Sequence, residues 1–406
     1  MKRLYAAASV MLVYTASLWA APPAPRTFEL GFNLEAGFAN NYMRAADIFK
    51  KTIEFDFTQK PKPISFDAGA DFDFFLNVNV KDAMGVGMFI GTDAAGQFSI
   101  SKDIQELLQG NEFNKTYEGD IGTGGQVFLE TGALGYFDVK DFRIVLRPAY
   151  YFPFLYLTPN THYKFYTGNS GDINAFFEYD LAVYTPFSGT NGLFNGTLTG
   201  RGGVDFTASV DYPLSIDHPY FTDLSVGASI SHIPVFPAQL VNRTVISGGK
   251  SLDSDDMLQE LIDNGDLSGI ITDRTIESSH NAIMIFRPFR LEINADYKPP
   301  IDVSFLSLSV LPQIGYAYNK IFVKPHSLEG SLKLRLDFLT SLWPAPLFSF
   351  TLGSGYEDKI WKQGIDLTLN LRAFQFNIGA AMQSENFINS FKAGGIAVNT
   401  GMRFGW

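Results

Sequence analysis

Ser231 beside His232 offers a hydroxyl next to a base, the pairing that acyl hydrolysis requires. Both sit in a segment that alternates like a strand, where consecutive side chains leave opposite faces. No hydrolytic activity is expected from them. The five histidines, His162, His218, His232, His280 and His326, stand apart with no second ligand at metal spacing. The glycine runs at 122–125 and 200–203 lack the lysine and the strand-to-helix setting of a phosphate loop. The acidic run at 253–256 lacks the glycine and closing glutamate of a calcium loop. Cysteine is absent, which removes thiolate metal sites and disulfides. No catalytic residue, metal or cofactor is therefore expected, and the chain does not read as an enzyme. The net charge of −11 without a Lys/Arg cluster argues against nucleic acid.

The chemistry left is that of charge placed at every second position. From Val204 the even residues are Val204, Phe206, Ala208, Val210, Tyr212 and Leu214, against Asp205, Thr207, Ser209 and Asp211. From Leu328 the even residues Leu328, Leu332, Leu334, Leu336 and Phe338 oppose Glu329, Ser331, Lys333, Arg335 and Asp337. A helix cannot keep such sets on opposite faces, whereas a strand with one face in lipid and one in a wet lumen must. A charge at mid-bilayer costs about 2–4 kcal/mol, so the charged rows are expected to line a lumen. That set includes Asp205, Asp211, Arg290, Glu292, Lys333, Arg335, Asp337, Asp366, Arg372 and Arg403. Its mixed signs allow the charges to pair with one another.

These elements define an all-β fold, a transmembrane antiparallel β-barrel. Lys2 and Arg3, the apolar run from Leu4 to Ala20 and the break at Pro22 have the order of a secretory signal peptide, so 1–21 is expected to be removed. Alternation marks candidate strands at 28–38, 64–80, 84–93, 126–139, 142–156, 173–185, 204–214, 222–232, 283–297, 303–319, 328–339, 346–356, 361–371, 374–382 and 395–406. Barrels of this kind close with an even number. Counting back from Trp406 makes 64–406 a barrel of fourteen strands and leaves 22–63 as a possible plug. Counting Phe28–Phe38 as the first strand, with one more strand missed within 157–172 or 187–203, gives sixteen. Either count puts the connections at 298–300 and 372–373 on the periplasmic side and 233–281 outside.

Short helices are expected in loops. Asp103 with Glu106 suggests a capping box opening a helix that stops at Gly110, and Asp253 could cap a second whose Met257, Leu258, Leu261 and Ile262 share a face. With Ile233, Val235, Phe236 and Leu240 that stripe is a candidate capture site for a hydrophobic ligand; a loop folded on itself is the plainer reading. Met402, Phe404 and Trp406, apolar at alternate positions up to an aromatic last residue, form a candidate signal for the barrel-assembly machinery.

A mature length near 385, fourteen strands, an amino-terminal segment before them, and a long partly helical outer loop together resemble the long-chain fatty-acid transporter family of the bacterial outer membrane, although Phe38-Ala-Asn-Asn-Tyr42 stands where that family carries its Asn-Pro-Ala-type hatch signature. The resemblance implies loops that gather a hydrophobic ligand, an amino-terminal hatch and a lateral gap in the wall. The expected function is passive uptake of small, hydrophobic molecules such as long-chain fatty acids across the outer membrane. The alternatives are a general aqueous porin passing polar solutes and a non-transport adhesin or structural barrel. Expected partners are outer-membrane lipids, the assembly machinery and a small hydrophobic or polar solute; oligomeric state is not legible.

Overall fold

Apolar and polar residues that alternate over ten or more positions can bury neither set alone, and ring closure satisfies both while leaving no unpaired edge. The computed structural model describes residues 26–41, 64–80, 84–110, 112–158, 161–169, 173–187, 196–214, 216, 218, 223–253, 275–300, 303, 305–321, 325–340, 346–371 and 373–406. In chain order the strands are β1 Phe28–Asn40, β2 Ile64–Val80, β3 Met84–Ile100, β4 Thr116–Val139, β5 Phe142–Thr158, β6 Thr161–Thr167, β7 Ile173–Thr185, β8 Gly203–Leu214 and β9 Asp223–Phe236. They continue as β10 Ala238–Asp253, β11 Thr275–Ile285, β12 Phe289–Lys298, β13 Leu306–Tyr318, β14 His326–Phe338, β15 Phe348–Glu357, β16 Ile360–Asn370, β17 Phe374–Ser384 and β18 Gly395–Gly405. Two short helices, α1 Lys102–Gln109 and α2 Phe387–Ser390, sit in connections.

Fourteen strands close the wall in the order β1-β2-β3-β4-β5-β8-β9-β12-β13-β14-β15-β16-β17-β18, every neighbour antiparallel. The ring is sealed by β1 on β18, from Glu29 opposite Gly405 to Phe38 opposite Ile396. The ladder lapses beside two prolines, between Gly132 and Gly135 at Pro148 and between Asn294 and Tyr297 at Pro312, and its register shifts between Val127 and Phe128 on β4 and at Val204–Asp205 and Phe206–Ala208 on β8. Proline has no N–H to give; neither lapse separates the two strands.

The fourteen are reached differently from the backward count. Phe28–Asn40 is a wall strand, paired on both sides. The candidate at 173–185 is the one outside the ring. It joins β6, β10 and β11 in an extension that grows from the upper ends of β4 and β5, in the order β4-β6-β7-β10-β11. The sixteen-strand alternative is thereby set aside. With 173–185 removed, the tight turn Lys140–Asp141 falls at the same end as Trp406 and the connection at 101–115 at the other.

Alternation sorts the side chains as lipid and lumen require. On β14, Leu328, Leu332 and Leu334 are exposed on the outside, and Glu329, Arg335 and Asp337 are buried inside. The same split runs through β2, with Phe72, Phe74 and Val78 outward, and through β16, with Ile365, Leu367 and Leu369 outward. Glycines on the inner face make room for neighbouring side chains. A Cβ on Gly227 would collide with the side chains of Asn294 and Asp211, and one on Gly401 with those of Asn377 and Asn33.

The helix at Lys102–Gln109 forms where expected and stops at Gly110, but its N-cap is Ser101 and Asp103 lies in the first turn. Ser101 gives no capping bond because its hydroxyl is engaged by Tyr163 Oη. Asp253 ends β10. The residues expected to be helical after it, Met257, Leu258, Leu261 and Ile262, lie outside the described residues, as does Arg372.

Candidate functional site

The end of the barrel opposite Trp406 is closed by apolar side chains. Phe128 of β4 and Tyr151 and Tyr156 of β5 meet Ala238 and Leu240 of β10, Ile285 of β11 and Ile321 from the connection after β13 in one buried cluster. Ile321 follows β13, five strands around the ring from β4, yet its carbonyl lies against the inner face of Gly124. The base of the β10–β11 hairpin is therefore folded over the mouth. Tyr151 fixes it there, its hydroxyl donating to the Ile285 carbonyl at 3.0 Å and accepting from the Ala238 N–H at 3.3 Å.

Below this plug lies Arg287, in the short break between β11 and β12. Its guanidinium donates to both oxygens of Asp205 on β8 at 2.7 Å, bonds to Glu130 on β4, and covers the ring of Tyr151. Arg147 bridges Glu130 and Asp73 at 2.9 Å each. A planar fork suits such bidentate pairing. His232 completes the group with φ of 56°. Its backbone N–H donates to Thr207 Oγ1 at 3.3 Å and its Nδ1 to the Pro288 carbonyl at 2.6 Å. That left-handed residue interrupts the alternation of β9, so Ser231 and His232 both line the lumen instead of facing opposite ways. The bond from Nδ1–H to the Pro288 carbonyl fixes the ring's tautomer and orientation.

Between this layer and the Trp406 end is a cavity of about 350 Å³. Asp71, Asp73, Glu292, Arg143, Arg147, Arg287 and Arg403 supply its charges, Asn33, Asn77 and Ser209 are among its neutral polar groups, and Phe75, Phe89 and Tyr136 are its rings. Three arginines lie over those rings: Arg147 over Phe89, Arg143 over Tyr136 and Arg403 over Phe75. Such stacking keeps a guanidinium against the wall.

Of the charges expected to line a lumen, Arg372 lies outside the described residues and the others fall into separate groups. Asp205 belongs to the Arg287 group. Arg290 meets Asp358 at 2.6 Å and Glu329 at 3.6 Å, and Glu292 accepts from Ser229 at 3.3 Å. Arg335 bonds Asp337 and Ser309 at 3.1 Å each. Asp366 accepts from Asn399 at 2.7 Å, and Arg403 approaches Glu29 at 3.4 Å. Asp211 packs against Gly227, and Lys333 faces Gly353 across the β14–β15 pair. Of the candidate capture residues, Leu240 is 0% exposed inside the plug, whereas Phe236 is 63% exposed at the top of β9, with Val235 exposed beside it and Ile233 half-buried. Leu240 does not share a surface with the exposed Val235 and Phe236. Among the described residues no group of three His, Cys, Asp or Glu is placed to hold a metal ion.

Two features escaped the sequence reading. Arg287 fell inside a segment read as one strand, 283–297, whose parity sends it outward; Pro288 was the signal that the strand breaks there. The inward acids of β2 and β3 were passed over, although Asp71-Phe72-Asp73-Phe74 spells the alternation plainly.

A closed fourteen-stranded antiparallel barrel with an apolar exterior and a charged, plugged interior is the membrane-spanning class of β-barrel. No family model matches the chain, and no curated protein matches it in sequence. Among solved structures it is similar to the Pseudomonas putida toluene transporter TodX, at 7% identity over 98% of this chain and 95% of that one, with a TM-score of 0.47. It is also similar to the Ralstonia pickettii toluene transporter TbuX, at 7% identity over 98% and 95%, TM-score 0.45. A Pseudomonas aeruginosa FadL homologue follows at 10% identity over 94% and 90%, TM-score 0.41.

Proposed function

We propose that this protein is an outer-membrane channel for passive uptake of a small, partly apolar molecule through a gated lumen. The observation that carries this is the layering along the barrel axis: an apolar plug, a ring of paired charges beneath it, then a cavity of about 350 Å³. That volume lies in the range of small-molecule sites, about 300–1,000 Å³. The exposed Val235 and Phe236 at the rim give an apolar solute a first contact. A general aqueous porin would hold its mouth open to water, and here that mouth is filled by Leu240, Ile285 and Ile321. The test is uptake into liposomes holding the refolded chain. Small aromatic solutes should equilibrate faster than in empty liposomes, with ion conductance in planar bilayers small and intermittent. Large, steady conductance would establish the porin instead, and absence of both uptake and conductance would sink the channel reading.

The assembly signal belongs to the same proposal. Trp406 stacks on Phe28 at 4.8 Å between ring centres, and its carbonyl accepts from the Thr27 N–H at 2.7 Å. It thus closes the last rung of the β1–β18 seam as well as ending the alternating tail. Deleting Trp406 is expected to lower the folded, heat-modifiable fraction in outer membranes severalfold while refolding in detergent is reduced less. Equal loss in both settings would assign Trp406 to seam stability alone.

A further inference from the structure

Across three neighbouring strands the ladder sets Glu35 of β1 directly opposite Asp71 of β2, and Asp71 directly opposite Asp93 of β3. Residues so paired have Cβ atoms about 4.5–5.5 Å apart, and like charges there repel. All three point into the lumen. None makes a hydrogen bond or ion pair with a described residue, although Asp93 is only 4% exposed. The next residue in the row, Asn399 opposite Glu35, gives its amide N–H to Asp366 and leaves a buried Oδ1 with no donor. Three consecutive carboxyls and one amide oxygen thus offer acceptors, the amide donor beside them being turned to Asp366, and one of these four residues, Asp71, lines the cavity.

Most cations that share this lumen are engaged elsewhere, Lys333 against Gly353 being the exception among the described residues. Arg147 is held by Asp73 and Glu130, Arg143 by Asp138 at 2.8 Å, Arg403 by Glu29, and Lys362 by Glu357 at 2.8 Å. An anion entering the cavity meets guanidiniums that already have carboxylates; a cation meets Asp71. We infer that the Glu35–Asp71–Asp93 row is a binding site for an organic ammonium group, and that the cavity beside it takes the apolar part of the same molecule. The class is a small aromatic or aliphatic amine, and a fatty-acid carboxylate is the wrong sign for it. An ammonium brings three donors to a site made of acceptors. A metal ion fits less well, since no trio of acids is gathered at metal-binding geometry among the described residues. This assignment rests on the channel reading above for its biological sense, but the site is tested separately.

The test is isothermal titration of the refolded full chain in detergent with benzylamine, protonated at neutral pH, and with benzoate, of matching size and opposite charge. Benzylammonium is expected to bind at least about tenfold more tightly than benzoate, and Asp71→Asn to weaken it by about tenfold or more, the usual worth of one charged hydrogen bond. Heat-modifiable mobility identifies folded variants; should Asp71→Asn not fold, Asp93→Asn and the comparison of the two wild-type titrations decide. Equal binding of both probes, no binding of benzylammonium, or binding indifferent to both substitutions would overturn the site. Liposome uptake separates the two claims. Uptake of both probes at equal rates sinks the ammonium site and leaves the channel, whereas tight benzylammonium binding without uptake keeps the site and sinks the channel.

Discussion

Leu334→Arg is expected to abolish most membrane insertion, and Lys333→Leu, one residue away, to be nearly silent. Leu334 stands mid-strand on β14, 42% exposed on the outer face, with Leu332 and Leu352 beside it on the lipid side. An arginine there faces acyl chains at a cost of about 2–4 kcal/mol, a loss of roughly 30- to 1,000-fold in the folded fraction. Lys333 points inward against Gly353, where a leucine loses a charge and keeps most of the contact. Refolding into lipid vesicles, read by heat-modifiable mobility, measures both. Equal damage from the two substitutions would mean that the outward face is not the lipid face, and the channel proposal would fall with it.

That the two substitutions can be told apart from parity alone shows how much of this fold lies in the sequence. Alternation is a local property enforced at each residue by the solvent on either side, so strand after strand, and the facing of Asp205, Arg335 and Asp337, were legible. Which strands neighbour which was not, because 173–185 alternates as well as any wall strand does. Its exclusion depends on β5 turning from β7 at Tyr156–Thr158 to β8 at Arg143–Tyr151, a decision of tertiary pairing. The site was half legible for a related reason. Charges on regular strands could be placed by counting, but Arg287 and His232 sit where the backbone departs from the strand, at a proline break and at a left-handed residue. The row Glu35–Asp71–Asp93 needs registers across two strand pairs, and a register is set by cross-strand packing that no single segment displays.

Arg287→Ala is expected to produce the largest change in gating and a large loss of stability together. The guanidinium joins the base of the β10–β11 hairpin to carboxylates on β4 and β8, and both carboxylates are buried. Removing one partner from a buried ion cluster costs about 3–5 kcal/mol, because the charges left behind are neither solvated nor paired. The barrel can relieve that cost by admitting water to Asp205 and Glu130, which requires the plug of Leu240, Ile285 and Ile321 to lift from Phe128 and Tyr151. Planar-bilayer recording should therefore show longer openings in the variant, and denaturant unfolding in vesicles an earlier midpoint. The triple variant Arg287→Met, Asp205→Asn, Glu130→Gln separates electrostatics from packing. With the stranded charges neutralised, stability should return to near that of the wild type, since apolar replacement of a buried ion group is often neutral. Longer openings than in the wild type should persist, because the bonds from Arg287 are gone and the hydroxyl of Tyr151 is left to hold the hairpin base. A single variant that unfolds and conducts as the wild type does would show that the mouth is held by its apolar contacts alone, with Arg287 a bystander.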